Sequence, residues 1–340
     1  MSPKLAVLGG GSWGTALAQT LCRTGSPVAL WSRDPRIAEA IAATRHNPRY
    51  LTEIALDAAV TPTAALREAV HEASIVFLAV PTHAMREVAT SCRDSVSDRA
   101  VLVSAAKGFD AISSCTMSEV LCDVLGDTFA PRVTAMSGPN IAVEIAMHLP
   151  AASVVAGPSD AAEEVRDTCS HDTFRLYSTA DCVGVEYAGA LKNIVAIAAG
   201  ACDGMGAGDN GKAAIMTRGL AEMARLGVAS GASVMTFAGL AGIGDCVVTC
   251  ASPHSRNRRL GEAIARGASL ESALAGIRMV AEGVDATRVA VRLAEARGVD
   301  MPITREVHAV LFEGKPVAEG LADLMHRDPA DELRGLQPLG

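Results

Sequence analysis

The chain has 340 residues, 49% of them hydrophobic and 20% charged, a length beyond the size at which a single core keeps growing, so two domains are expected. A net charge of -8 argues against general attachment to nucleic acid or an anionic membrane, so any phosphate must be held by a few concentrated cations. Nine cysteines without a Cys-x-x-Cys pair, and no histidine cluster near Cys246 and Cys250, argue against a zinc site and for reduced thiols in a reducing, cytoplasmic compartment.

Leu5–Leu8 is the first apolar run, and it begins too early to leave room for a signal peptide. Gly9-Gly10-Gly11-Ser12-Trp13-Gly14 follows at once and opens a helical segment (Leu17, Leu21) that stops at Gly25. This strand, glycine turn and helix predict a dinucleotide site. Gly9, Gly11 and Gly14 allow a tight turn, and the helix N-terminus supplies N–H groups for a pyrophosphate. The next strand, Val28–Trp31, ends in Ser32-Arg33-Asp34, with a guanidinium where NAD sites usually carry an acid. Arg33 therefore favours NADP, with NAD also usable. Asp34 alternatively reads as the N-cap of the next helix.

Strand-like runs continue at Ile75–Val80, Val101–Ser104 and Val133–Met136, with later candidates at Ser153–Ala156 and Phe174–Tyr177. Helix-length segments separate them, which predicts an α/β, Rossmann-type, mainly parallel sheet over residues 1–185. Lys107 just follows the Val101–Ser104 strand, at the sheet edge where such folds bind ligands.

Strand signals stop after about residue 180, and residues 186–327 read as an all-α-helical substrate-binding domain. Helical stripes run through Met216, Leu220, Met223 and Leu226, through Ile303, Val307, Val310 and Leu311, and through Leu321, Leu324 and Met325. All three are expected to be core. Lys192 and Asn193 sit inside an apolar helix, where a lysine costs desolvation unless it is paired, used in catalysis or able to snorkel. The apolar run after them, Ile194–Cys202, is too short to span a bilayer, so no membrane insertion is expected. Gly206-x-x-x-x-Gly211-Lys212 imitates a P-loop, but Ala213 follows where Ser or Thr is needed, so it reads as a flexible connector. Asp245 stands in an apolar stretch, and the cationic Ser255-Arg256-Asn257-Arg258-Arg259 comes soon after. Residues 328–340 read as a fraying tail.

These segments resemble bacterial NAD(P)-dependent glycerol-3-phosphate dehydrogenase over nearly the whole chain. The resemblance rests on Gly9–Gly14, Ala106-Lys107-Gly108, Ser137-Gly138-Pro139, Leu191-Lys192-Asn193, Thr217–Glu222, Gly242–Asp245, Ser255–Arg259, Val280–Gly283 and Met301–Thr304. It implies reduction of dihydroxyacetone phosphate to glycerol 3-phosphate, for glycerophospholipid synthesis. Lys192 would be the acid/base, oriented by Asp245 and Thr249. Lys107, Gly138 and Asn140 would contact substrate, whose phosphate would rest on Ser255, Arg256 and Asn257. Ser12, Trp13, Arg33, Lys107, Ala142, Arg256, Val280 and Glu282 would contact the cofactor, NADP or NAD with NADPH favoured, and no metal is called for. The implied partner is a small phosphorylated substrate, with a homodimer left open.

The chain departs from the family at Asn140-Ile141, where Ser or Thr and then Phe are usual, and at Lys212, where a small or polar residue is usual. Ketopantoate reductases and other β-hydroxyacid-type dehydrogenases share the architecture and the lysine, but should lack the Ser255–Arg259 cluster. A non-catalytic NADP-binding sensor should have lost Lys192 or Asp245.

Overall fold

The computed structural model describes residues 2–277, 281–328 and 331. The chain divides into two compact units, Met1–Ala106 with Met117–Cys182, and Lys107–Thr116 with Val183–Gly340.

The first unit is built on one sheet of eight strands: β1 (Lys4–Leu8), β2 (Val28–Trp31), β3 (Val60–Thr63), β4 (Ala73–Leu78), β5 (Val101–Ser104), β6 (Val133–Ser137), β7 (Ala151–Ala156) and β8 (Phe174–Thr179). The order is β3-β2-β1-β4-β5-β6-β7-β8. All pairings are parallel except β6 with β7. The order reverses direction beside β1, which is paired to β2 in register Leu8↔Trp31 and to β4 in register Leu8↔Leu78. Ligands of such sheets bind at that switch point. The central strands are near-continuous apolar runs because both faces are covered, and Leu5, Val7, Ile75, Phe77, Val101 and Val103 form the core. Around them run α1 (Ser12–Leu21), α2 (Pro35–Thr44), α3 (Leu66–Val70), α4 (Thr82–Cys92), α5 (Met117–Leu125), α6 (Ala142–Ala146) and α7 (Ser159–Cys169).

Every strand expected from the sequence is present, and β3 is one that the sequence reading missed. Its Val-Thr-Pro-Thr has the look of a turn, and Pro62 cannot donate to a ladder. Its place at the sheet edge removes that objection, since only one side of the strand must pair.

The second unit is helical: α8 (Cys182–Met205), α9 (Gly208–Val228), α10 (Val234–Phe237), a π-helical turn at Leu240–Gly244, α11 (Asp245–Ala251), α12 (Arg256–Ala265), α13 (Leu270–Ala275), α14 (Gly283–Arg297), α15 (Pro302–Phe312) and α16 (Val317–Met325). α8 is apolar on all sides and accordingly buried. At 24 residues it is long and apolar enough to cross a membrane, which corrects the short run expected. Its most apolar stretch is 89% buried inside the protein, as a core helix is. Glycine interrupts α8 because α12 crosses it at backbone contact. A Cβ at Gly200 would fall 1.9 Å from the carbonyl oxygen of Arg258, and one at Gly261 would fall 1.9 Å from that of Ile197.

Two other expectations need correction. Gly211 and Lys212 are no flexible connector: they lie in the first turns of α9, where the Lys212 ammonium bonds Asp203 at 2.8 and 3.0 Å. The stripe on α16 is not core, for Met325 is 76% exposed while Leu321 and Leu324 are half-buried and line an apolar pocket with Ile197 and Val307. The stripe on α9 is core at Met223 and Leu226 but only half-buried at Met216 and Leu220.

Candidate active site

The glycine turn after β1 is sterically compulsory. A Cβ on Gly14 would sit 1.8 Å from the Gly9 carbonyl oxygen, so the entry to α1 closes only with glycine there. Above Gly11, by contrast, an added Cβ meets nothing within 4 Å. Gly11 is the N-cap of the ten-residue α1 and offers no side chain to its amides. An open approach to an uncapped helix N-terminus fits a pyrophosphate. Trp13, the next residue but one, has a buried indole N–H without a protein partner, which fits a bound acceptor at the same place.

Arg33 is exposed after β2, free of the burial that would tie it to the core. Asp34 caps α2, accepting from the Arg36 amide at 3.1 Å and from its guanidinium at 2.8 and 3.0 Å. A carboxylate engaged in this way leaves Arg33 as the group that projects where NAD sites carry an acid. Gly138 ends the β6 segment and Ala142 opens α6. Between them the Asn140 carbonyl oxygen accepts from the Ser153 hydroxyl at 2.6 Å, and its buried amide nitrogen has no protein partner.

The second unit gathers four polar side chains far apart in sequence. The Lys192 ammonium, from the middle of α8, donates to Asp245 Oδ1 at 2.5 Å and to Thr249 Oγ1 at 2.7 Å. Lys107 Nζ donates to Asp245 Oδ2 at 2.7 Å. Lys192, Asp245 and Thr249 are 5%, 1% and 8% exposed. Burial alone would raise the Asp245 carboxyl, but the charges of Lys107 and Lys192 outweigh it and hold it below the usual carboxylate range. Burial lowers Lys107 to about 8, with the Lys192 charge adding to the fall and Asp245 opposing it. One carboxylate between two ammonium groups leaves surplus positive charge in a desolvated place, suited to an oxygen that gains negative charge. The π-helical turn at Leu240–Gly244 presents Asp245 at the first position of α11, and Thr249 follows one turn later on the same buried face.

The sequence reading gave Asn193 no separate role. Its amide donates to the Lys107 carbonyl oxygen at 3.2 Å, and its own oxygen accepts from Asn257 at 2.8 Å. The Asn257 oxygen in turn accepts from the Gly283 amide at 3.1 Å. A buried chain of amides thus ties the Lys107 segment, α8, α12 and the start of α14. The signal was present, an asparagine inside an apolar helix, but its partners were not readable. Ser255 is the N-cap of α12, accepting from the Arg258 amide at 3.3 Å, which sets half-buried Arg256 at the first helical position. Arg258 is drawn away, donating to Asp203 at 2.6 Å. Glu282 directly precedes α14, and Val280 lies outside the described residues. Among the described residues no group of three or more His, Cys, Asp or Glu is placed to hold a metal ion.

Two family models match: the NAD-dependent glycerol-3-phosphate dehydrogenase N-terminus over residues 4–163 and its C-terminus over residues 181–322. The chain is 48% identical over 334 residues to the NAD(P)+ glycerol-3-phosphate dehydrogenase of Pelotomaculum thermopropionicum, covering 98% of this chain and 96% of that one. It is 46% identical to the Thermoanaerobacter enzyme of the same name, covering 98% of this chain and 100% of the relative. Among solved structures, glycerol-3-phosphate dehydrogenase from Coxiella burnetii superposes with a TM-score of 0.90 at 34% identity, covering 96% of this chain and 99% of the other.

Proposed function

From the premise that this chain belongs to the NAD-dependent glycerol-3-phosphate dehydrogenase family, we propose how its residues perform the reaction. The enzyme reduces dihydroxyacetone phosphate, a small phosphorylated ketone, to glycerol 3-phosphate with NAD or NADP as cofactor. The observation that carries the assignment of roles is the buried Lys107–Asp245–Lys192–Thr249 cluster.

Lys192 Nζ gives the proton to the ketone oxygen. Asp245 and Thr249 hold it in place through their hydrogen bonds. The bound cofactor supplies the hydride. Lys107, whose charge Asp245 supports, draws the anionic substrate and helps to polarise its carbonyl. Gly138 and Asn140 complete the substrate contacts, and the unpartnered Asn140 amide is a donor for them. Arg256 grips the phosphate through its guanidinium, with Ser255 and Asn257 setting the start of α12 from which it projects. Gly9, Gly11, Ser12, Trp13 and Gly14 would hold the cofactor pyrophosphate region, joined by Lys107, Ala142, Arg256, Val280 and Glu282. Exposed Arg33 supports a preference for the 2′-phosphate of NADPH.

We place the enzyme in the cytoplasm, a reading supported by its free cysteines. A homodimer is supported by exposed Val234, Met235, Ile243 and Val247 close together in the chain, and sedimentation velocity tests it.

The assignment of Lys192 is tested by following NADPH absorbance with dihydroxyacetone phosphate. Lys192→Ala should lower kcat by roughly 10²–10⁴-fold while NADPH binding stays near normal. Full turnover in the variant would remove Lys192 from the mechanism.

A further inference from the structure

α11 carries two thiols for which the reaction has no use. Cys246 and Cys250 are 2% and 0% exposed, and their sulfurs lie 3.9 Å apart. Each directly follows a member of the Lys192 cluster, Cys246 after Asp245 and Cys250 after Thr249. We propose that Cys246 and Cys250 are an oxidant-sensitive dithiol, closed to a disulfide by hydroperoxides, and that closure disables the adjoining Asp245–Lys192 pair. The second half of this proposal rests on the role given to Lys192 above.

The chemistry needs only a hydroperoxide, ROOH. The Cys246 thiol gives up its proton, the thiolate attacks the terminal peroxide oxygen, an S–O bond forms, the O–O bond breaks, and the departing alkoxide takes up that proton and leaves as ROH. Sulfur loses two electrons and the peroxide gains them. The Cys250 sulfur then attacks the Cys246 sulfenic acid, the S–S bond forms, and the displaced hydroxide leaves as water with the Cys250 proton. The two thiols share a hydrogen bond in which either can donate, and this contact together with the Lys192 charge favours the Cys246 thiolate against its burial and the opposing Asp245 charge. Burial keeps glutathione and larger oxidants away, while small molecules such as peroxide, dithiothreitol and dimedone enter through local opening.

Geometry supplies the coupling. Residues four apart on a helix have Cα atoms about 6.2 Å apart, within the range that disulfides span. Their Cβ atoms, however, stand about 5–6 Å apart, where a disulfide needs about 3.8 Å. α11 must therefore bend to close the bond. It is only seven residues long, with a π-helical turn before it and Pro253 two residues after its end. Bending displaces Asp245 and Thr249, which hold Lys192 by hydrogen bonds of 2.5 and 2.7 Å. A strained disulfide is also easily reduced, so the change is reversible.

Trypsin releases residues 226–256 as one peptide, and Cys246 and Cys250 are its only cysteines. The intact enzyme is treated with hydrogen peroxide, quenched by alkylation at intervals, and assayed in parallel. The peptide should escape alkylation at both cysteines and weigh two hydrogen atoms less than the unalkylated dithiol, in step with a loss of activity of at least about tenfold, and dithiothreitol should reverse both. Cys250→Ala should form no such bond, leaving a Cys246 sulfenic acid that dimedone traps. Cys246→Ala/Cys250→Ala should keep its activity in peroxide. Activity lost while the peptide keeps both thiols, a closed peptide with full activity, or a double variant as sensitive as wild type would each overturn the proposal. Should the variants fold poorly, the wild-type time course decides alone. Lys192→Ala, assayed without peroxide, tests the underlying role separately.

Discussion

Asp245 holds two ammonium groups at once. Lys107 is lowered to about 8 by burial, with Lys192 adding to the effect. Its depressed value means that its contribution to stability is present above about 10.5 and lost as pH falls through 8. Under the role proposed for Lys107, in which its charge draws the anionic substrate, activity should run the other way. We expect kcat/KM for dihydroxyacetone phosphate to fall above pH about 8, and Lys107→Arg to carry that break to higher pH, because arginine stays charged. A break at the same pH in both proteins would assign it to another group. Arg256 makes a second prediction. Arg258, the nearest candidate to replace it, is already committed to Asp203 at 2.6 Å and to Glu262 at 3.5 Å. Arg256→Lys keeps the charge but loses the paired hydrogen bonds of a guanidinium. The preference for dihydroxyacetone phosphate over unphosphorylated dihydroxyacetone should shrink about tenfold, roughly 1.4 kcal/mol. Parallel losses on both substrates would mean that Arg256 is not the phosphate anchor.

Among the elements, α9 and α15 are joined by a buried carboxylate whose importance the sequence signalled without its reason. Glu222 accepts from the Ile303 amide at 2.7 Å and from the Thr304 amide and hydroxyl at 3.1 Å each. Two segments that carried the family resemblance, Thr217–Glu222 and Met301–Thr304, are thus two sides of one helix cap. Burial pushes the Glu222 carboxyl up to about 7, against the pull of those hydrogen bonds and of Arg225. The folded protein therefore holds this proton more tightly than the unfolded chain. Its contribution is full below pH about 4.5 and lost as pH rises through 7, a change on the order of 3 kcal/mol. Glu222→Gln cannot titrate, so its melting temperature should fall less than that of wild type between pH 5 and 8, roughly 2–4 °C less per kcal/mol for a domain of this size. Equal falls would place the titration elsewhere. The glycines of α8 have a similar character. They weaken the helix locally, and at Gly200 and Gly204 the close approach of α12 explains why they are there.

At the scale of the whole molecule, each unit has its own core. All eight strands and the apolar cluster around Phe77 belong to the first unit. Residues 1–182 expressed alone should therefore fold and bind NADPH with a Kd within about tenfold of the full enzyme, as read by calorimetry. An unfolded fragment would show that the first core is not self-sufficient. The sequence by itself determined the Rossmann unit, because a strand, a glycine turn and a helix leave local, periodic traces between residues 4 and 25. It also determined the family and singled out Lys192 and Asp245 as the residues to which roles are proposed, since motif order survives without coordinates. Edge strand β3 and the full length of α8 escaped because Pro62 and the helix glycines contradict local propensity, and sheet position and helix contact override it. Only the tertiary structure decided that Lys107 shares Asp245 with Lys192 and that Asn193 and Asn257 link their segments. It also decided that Arg258 is withdrawn to Asp203, and that the helix whose Cys246 and Cys250 sulfurs lie 3.9 Å apart is the one that holds Lys192. Lys107 and Asp245 are 138 positions apart, and a contact at that separation is made by packing, which leaves no periodic mark on the residues in between.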